Sequence, residues 1–321
     1  MKKIILSALA LSVFFGLQGK TVAQMQVEEG GEGPYKAIIV QDDLLPGFIV
    51  TRPADLQAAK EAERGPLPVI LFGNGSCARD SWLFLKYLTH LASHGYVILS
   101  MSPLTPDGPD LTQYFGKAES ATGVPPELAE RMQKYASPDG GRDAMDILAA
   151  LDLLEGLSKS SWSEYYGRLD TSRVTAMGQS CGGLQALLMS SQGDPRIKTT
   201  VAINTGIFPA QAGQRPYVTG KEALSRLPGP IIYIIGGETD IAYPQAVSDF
   251  ELITRVPVVR ADLPVGHAGT FIYPHGGEFA DVALLWLDGQ IKGKKENMDY
   301  FKDGKLPDGL SPEWELTSKN L

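Results

Sequence analysis

Residues 174–190 read VTAMGQSCGGLQALLMS. A β-rich apolar run leads into a glycine-rich turn, and an apolar run with helical spacing leads out of it. Ser180 stands in the turn, with Gly178 two residues before it and Gly182 two residues after it. Glycines at these places remove side chains that would collide in a tight strand-to-helix turn. The pattern predicts a serine hydroxyl raised above the edge of a sheet; a serine that only caps the helix is the alternative.

Short apolar runs and helical patterns alternate along the rest of the chain. Predicted strands lie at 69–72, 97–99, 174–177, 200–203, 231–235 and 258–259, and predicted helices at 82–92, 143–154, 184–190, 244–252 and 279–291. Strands that are apolar on both faces and alternate with helices form a mostly parallel sheet with helices on both faces. We therefore expect an α/β fold with a single domain over residues 24–321.

Three segments interrupt this alternation. The segment 103–141 is rich in Pro, Gly and acidic residues, and it is longer than an ordinary connection between a strand and a helix. We expect it to form a flap near a site, and a surface excursion without function is the alternative. A second long connection spans residues 207–230. The polar tail from Asn297 is expected to lie along the surface.

The composition excludes several classes of protein. The chain has 321 residues, 43% of them hydrophobic and 21% charged, which is ordinary for a globular protein. Its formal charge of -8 provides no positive field for nucleic acid, so we expect no nucleic-acid partner. Its two cysteines and four histidines match no zinc-binding spacing and no disulfide scaffold, so we expect no bound metal.

The first 23 residues have the pattern of a secretory signal peptide. Lys2 and Lys3 precede an apolar run over residues 4–17, and Thr21-Val22-Ala23 is a small-residue cleavage pattern. An uncleaved anchor is the alternative. Cleavage after Ala23 leaves 298 residues and changes the formal charge from -8 to -11, since three lysines leave with the leader. We expect a secreted or periplasmic protein with no membrane span after cleavage.

A serine needs a neighbouring base to act as a nucleophile. His90 lies in the predicted helix at 82–92 and His94 in the turn after it, so both are expected to be packing or turn residues. His267 follows the last predicted strand of the sheet, and His275 lies in a second loop eight residues later. His267 is therefore the predicted base, with His275 as the alternative.

The carboxylate that orients this base should follow the preceding strand, since Ser, acid and His occur in that order in such sites. The predicted strand at 231–235 runs into Gly236-Gly237-Glu238-Thr239-Asp240. Asp240 is preferred because it sits farther into the loop. Glu238 is the alternative acid. A further alternative is that Glu238 and Asp240 only form an acidic turn that faces water.

An oxyanion requires backbone donors that face it in the transition state. The N–H of Cys181 directly follows the nucleophile, and a second donor is expected from the loop at 72–77, FGNGSC. Asn74 is favoured as this donor, with Gly75 or Ser76 as alternatives. Two loops that donate to one oxygen must lie close together.

This proximity has a consequence for the two cysteines. Cys77 belongs to one of these loops, and Cys181 adjoins the serine in the other. In an exported protein such neighbours can form a disulfide. We predict a Cys77–Cys181 bridge, and two separate thiols are the alternative.

Several stretches together resemble the secreted α/β-hydrolases of the dienelactone-hydrolase and polyester-hydrolase (cutinase-like) group. The resemblance covers roughly residues 69–299 and is carried by PVILFG at 68–73, LASHGYV at 91–97, YGRLDTSRVTAMGQSCGG at 166–183, GETD at 237–240, Gly266-His267 and Trp286-Leu287. It implies an α/β-hydrolase fold, with Ser180 as nucleophile, Asp240 as acid and His267 as base. It also implies hydrolysis of carboxylic esters without a cofactor, on small-molecule or polymer-linked substrates.

The chain departs from this group at three places. Gln179 and Cys181 flank the serine where polyester hydrolases commonly have Trp or His before it and Met after it. Residues 204–206, NTG, do not match the aromatic platform of those enzymes, and the segment 103–141 is longer than theirs. We therefore expect small esters rather than polymers as substrates. Alternatives are an acetyl or feruloyl esterase for polysaccharide, a serine peptidase or acyltransferase on the same fold, and a catalytically silent binding protein.

Overall fold

The structure is a computed structural model, and it describes residues 23–104, 130, 134–209 and 218–321. Its strands are β1 (Ala23–Met25), β2 (Ala37–Gln41), β3 (Phe48–Pro53), β4 (Leu67–Gly73), β5 (Val97–Met101), β6 (Leu169–Gln179), β7 (Ile197–Ile203), β8 (Ile231–Ile235), β9 (Val258–Asp262) and β10 (Glu315–Lys319). Its α-helices are α1 (Leu56–Ala62), α2 (Leu85–Ser93), α3 (Gly140–Lys159), α4 (Cys181–Ser190), α5 (Tyr243–Leu252), α6 (Glu278–Gln290) and α7 (Lys295–Asp303).

The strands form one ten-stranded sheet in the order β1-β2-β3-β5-β4-β6-β7-β8-β9-β10. The six central strands from β5 to β9 pair in parallel. Antiparallel pairs add β1, β2 and β3 at one side and β10 at the other. The predicted α/β class with a mostly parallel sheet is confirmed.

Alternation along the strands explains how both faces of the sheet are covered. In β4 every residue is buried. Ile70 and Phe72 pack with α2 and α6 on one face, whereas Val69 and Leu71 pack with α1 and α3 on the other. Neighbouring side chains of a strand point to opposite faces, so a strand between two helical layers must be apolar throughout. In open α/β sheets, ligands bind at the loops that follow the carboxyl ends of the parallel strands.

The tail does not follow the sequence-based expectation. Instead of a surface segment, it contains α7 and β10, and Phe301 of α7 is buried in the core beside α6. The leader predicted at 1–23 lies outside the described residues except for Ala23, and most of the predicted flap at 103–141 lies outside them too. Over the described ranges, no helix is long and apolar enough to cross a membrane.

Three of the four histidines pack against one another. The ring centroids of His90 and His94 are 4.8 Å apart, and those of His90 and His275 are 5.4 Å apart. Burial, with a smaller contribution from the neighbouring rings of His94 and His275, lowers the pKa of His90 to about 4. His90 is therefore a neutral packing residue of α2, as the helical pattern predicts.

This buried histidine predicts a loss of stability in mild acid. Because its pKa is depressed by folding from 6.5, the unfolded chain binds a proton at His90 more readily as the pH falls from 6.5 towards 4. His90→Gln should remove a loss of about 2–3 kcal/mol in the free energy of unfolding between pH 7 and pH 4.5. Urea unfolding of both proteins at the two pH values measures it. Equal losses in the variant and the wild type would contradict this account.

Candidate active site

Ser180 is the single residue between the end of β6 and the start of α4. Its backbone has φ 54° and ψ -119°, in the left-handed region that residues with a Cβ rarely adopt. Two contacts hold this conformation: the Ser180 N–H donates to the Ile203 carbonyl at 2.8 Å, and the Thr205 hydroxyl donates to the Ser180 carbonyl at 2.7 Å. Such strain costs about 1–3 kcal/mol and is commonly found at functional sites.

The glycines on both sides of Ser180 are required by close backbone contacts. A Cβ at Gly178 would lie 2.2 Å from the Gly182 carbonyl oxygen. A Cβ at Gly182 would lie 2.0 Å from the carbonyl oxygen of Gly73, at the end of β4. The turn can therefore form against β4 only with glycine at both positions, which is the reason inferred from the sequence.

The structure brings Ser180, His267 and Asp240 together in one chain of hydrogen bonds. His267 Nε2 lies 2.9 Å from Ser180 Oγ, and His267 Nδ1 lies 2.6 Å from Asp240 Oδ1. The acid and the base are on the loops after β8 and β9, and a Cβ at Gly236 in the first loop would lie 1.9 Å from the Gly266 carbonyl oxygen in the second. Glycine at this position thus allows the two loops to meet.

Asp240 is the most deeply buried member of this chain, with 1% of its surface exposed. Its Oδ1 also accepts the Ala242 N–H at 2.9 Å, and its Oδ2 accepts from Asn204 Nδ2 at 2.7 Å and from the Gly236 N–H at 3.1 Å. Burial alone would raise the pKa of Asp240. The hydrogen bonds from His267, Asn204 and Ala242, with the nearby imidazole, outweigh burial and lower this pKa below its ordinary value.

The alternative acid and base occupy other surroundings. Glu238 is exposed. His275 contacts Glu28 and Glu32 through its two ring nitrogens, at 3.3 Å and 3.1 Å. Neither residue takes part in the hydrogen-bond chain of Ser180.

No protein-family model matches the chain, and no curated protein matches it significantly. The geometry of the site therefore has to indicate which chemistry it can perform. An imidazole in contact with a hydroxyl can remove its proton, and a buried carboxylate behind it fixes the tautomer and stabilises the imidazolium. In the part of the chain that the structure describes, no group of three or more His, Cys, Asp or Glu residues is placed to hold a metal ion.

The loop after β4 lies against the start of α4, as the sequence predicts for a pair of oxyanion loops. The Asn74 side chain is buried, and its Nδ2 donates to the carbonyls of Ala78 and Met101, both at 2.9 Å. The bond to Met101 fixes the loop to the end of β5, and the bond to Ala78 closes the loop on itself. Asn74 and Gly75 are buried, whereas Ser76 is half-buried. The backbone amide of Cys181, the first residue of α4, has no acceptor within its own helix.

A disulfide joins these two loops. Cys77 and Cys181 are bonded, and their Cα atoms are 5.0 Å apart. The bridge expected from the sequence is thus present. It fastens the loop after β4 to the residue that directly follows Ser180.

Two amide side chains next to the site, noted in the sequence only as departures from the resembled group, have a structural role that the sequence does not predict. Gln179, directly before the serine, donates from Nε2 to the His267 carbonyl at 3.0 Å. Asn204, directly after β7, donates to Asp240. A signal was present for both, since polar residues at the carboxyl ends of otherwise apolar strands lie at the edge where open α/β sheets bind ligands. Gln179 therefore ties the serine turn to the loop that carries His267.

Opening the disulfide should weaken both the fold and the site. The bridge spans 104 residues of sequence, so its loss should lower the free energy of unfolding by about 4–5 kcal/mol. Freed loops no longer hold the backbone around Ser180 in register, and we expect turnover of esters, the substrate class predicted from the sequence, to fall by about 10-fold to 100-fold. Reduction followed by alkylation opens the bridge, and the free energy of unfolding and the turnover are then measured on the alkylated protein.

Alkylation without reductant is the control for this experiment, because both cysteines are in the bridge. A double Cys77→Ser and Cys181→Ser variant should respond to neither reagent. Full reduction, verified by mass, with unchanged turnover would show that the bridge does not hold the site.

Proposed function

We propose that the protein is an exported serine hydrolase that cleaves carboxylic esters through an acyl-enzyme, on an α/β-hydrolase fold. The observation that carries this proposal is the continuous chain of hydrogen bonds from Ser180 Oγ through His267 to Asp240, at 2.9 Å and 2.6 Å. The strained serine turn between β6 and α4 supports it, because it exposes the hydroxyl in front of a helix N-terminus. The order of the three residues along the chain is that of this class of site.

The first step is attack of Ser180 Oγ on the ester carbonyl while His267 Nε2 takes the hydroxyl proton. A new C–O bond forms, and the carbonyl π electrons move to its oxygen. The backbone N–H of Cys181 stabilises this oxyanion, together with a donor from the loop after β4. The sequence predicts Asn74 as that donor, with Gly75 or Ser76 as alternatives.

Collapse of the intermediate expels the alcohol, which receives its proton from His267. Water then attacks the acyl-enzyme, again giving its proton to His267, and the acid leaves as Ser180 recovers its proton. Asp240 stays ionised throughout and holds His267 with Nδ1 protonated. The lowered pKa of Asp240 supports this role.

Export is part of the same proposal. The leader pattern at 1–23 predicts secretion, and a disulfide persists in oxidising compartments rather than in the cytosol. The resemblance to the dienelactone-hydrolase and polyester-hydrolase group supports ester substrates. It stays a prediction from the quoted motifs.

Hydrolysis of matched substrates tests this function. The oxidised protein should turn over p-nitrophenyl acetate, butyrate and octanoate with saturation, and much more slowly the corresponding p-nitroanilides. Acetylated xylan reports whether polymer-linked acetyl groups are reached. Absence of turnover on every ester by the folded protein would refute the proposal, and efficient anilide cleavage would favour a peptidase.

A further inference from the structure

We infer that Asn204 is a positioning residue of this site, which holds Asp240 in place and sets the pH range in which His267 acts as a base. The inference rests on the proposed function. Asn204 touches neither Ser180 Oγ nor His267 in the hydrogen-bond chain, so its effect is transmitted through Asp240 and the loop before the base.

Asn204 is fully buried, and its amide connects two loops. Nδ2 donates to Asp240 Oδ2 at 2.7 Å and lies 3.4 Å from the carbonyl oxygen of Gly266, the residue before His267. One NH₂ group thus contacts both the orienting carboxylate and the backbone that carries the imidazole. Asp240 Oδ1 remains for the contact with His267 Nδ1.

The Asn204 amide can donate a hydrogen bond to Asp240 in only one orientation. A rotated amide would place its oxygen against the carboxylate oxygen, with two acceptors 2.7 Å apart and no proton between them. In the observed orientation Asn204 Oδ1 is buried and has no hydrogen-bond partner among the described residues. A buried acceptor without a partner costs free energy, so the packing favours the donor to Asp240 over complete satisfaction of the amide.

The backbone explains why asparagine suits this position. Asn204 has φ 44°, in the left-handed region that asparagine tolerates better than most residues with a Cβ. Its N–H donates to the Ile234 carbonyl of β8 at 2.8 Å, which fixes the turn after β7. The next residue, Thr205, donates to the Ser180 carbonyl, so the same turn supports both the serine and the acid.

Few other groups act on the Asp240 carboxylate beside the Asn204 amide. His267 faces Oδ1. The negative charge of Asp240 also acts on the carboxylate of Asp262 in β9, which is paired with Arg260 at 2.7 Å. Glu238 on the same loop is exposed. Apart from His267, Asn204 is the one side chain among the described residues that donates to the carboxylate.

Loss of the Asn204 donor should shift the pH dependence of the site in one direction. Without it the negative charge of Asp240 is less compensated, and the pKa of Asp240 moves up from its lowered value. The same charge then attracts the imidazolium proton of His267 more strongly. The coupled Asp240–His267 pair then gives up its proton at higher pH, so the acidic limb of the rate profile should move upward.

Asn204→Gly tests this, because glycine accepts the left-handed backbone and removes only the amide. The midpoint of the acidic limb of kcat/KM on p-nitrophenyl butyrate should rise by about 1 pH unit. At neutral pH kcat should fall about 10-fold with KM changed by less than about 2-fold, since the amide does not touch substrate.

Asn297→Gly is the matched control. Asn297 also donates to a backbone carbonyl, that of Leu285, and it lies in α7, where glycine lowers helix stability without reaching the site. Its rate profile should superimpose on that of the wild type. An Asn204→Gly profile that also superimposes, in a protein folded by circular dichroism, overturns the inference.

A measurement on the wild-type protein keeps the inference testable if the variant does not fold. In ¹⁵N-resolved NMR, the Asn204 Nδ2 protons should shift over the same pH interval as the acidic limb, because they bond the partner of His267. Chemical shifts of these protons that stay constant over this pH interval would overturn the inference. Lack of ester turnover by the wild-type protein refutes the proposed function instead, and the NMR titration still decides whether Asn204 is coupled to the Asp240–His267 pair.

Discussion

Ser180→Ala should lower kcat on short p-nitrophenyl esters by about a million-fold while the protein stays folded. The substitution deletes the oxygen that lies 2.9 Å from His267 Nε2 and leaves the base with nothing to activate. The hydrogen bonds that fix this turn involve the Ser180 backbone, namely its N–H to Ile203 and its carbonyl from Thr205, so they survive. The free energy of unfolding should therefore change by less than about 1 kcal/mol.

Ser191→Ala provides the control for this substitution. Ser191 is a buried serine directly after α4, and its hydroxyl donates to the Leu188 carbonyl at 2.9 Å, away from the reacting hydroxyl. It should keep wild-type turnover. Substantial activity in folded Ser180→Ala protein would refute Ser180 as the nucleophile.

Asp240→Asn should lower kcat by about 10⁴-fold. Asparagine fits the space, but an amide cannot accept from all the donors that surround Asp240, and it no longer holds His267 with Nδ1 protonated. The imidazolium that forms during attack also loses its counter-charge. Circular dichroism should verify the fold, because an unsatisfied buried donor costs about 1–3 kcal/mol.

Glu238→Gln is the matched control, with the same loss of a carboxylate two residues earlier in the loop. Glu238 is exposed, so its turnover should stay within about 2-fold of the wild type. The reverse result, with Glu238→Gln impaired and Asp240→Asn active, would assign the orienting acid to Glu238.

The sequence predicts the centre of the sheet because burial on both faces leaves a clear signal. Runs such as residues 231–235, IIYII, have no polar residue and coincide with β8. The edge strands lie outside the predicted strands for different reasons. β10, ELTSK, is half-exposed and polar, and it becomes a strand through pairing with β9. β2 and β3 contain the apolar runs AIIV at 37–40 and FIV at 48–50, which lie outside the predicted strands.

The candidate site was predictable only as far as chain order determines it. Ser180, Asp240 and His267 follow from the positions of loops after strands. The second oxyanion donor does not, because the direction of each amide depends on backbone angles, and Ser76 and Cys77 both adopt positive φ values of 56° and 48°. Asn204 is likewise invisible to motif spacing: its partner Asp240 is 36 residues away and meets it only in the folded sheet.

The central claim is that Ser180 is an activated nucleophile, and covalent labelling tests it most directly. The folded, oxidised protein incubated with a fluorophosphonate should gain a single adduct, mapped by peptide mass spectrometry to Ser180. Ser180→Ala protein should gain none, and a short ester in excess should slow the labelling of the wild type. No adduct on the folded wild-type protein, or an adduct on a different serine, would contradict the account.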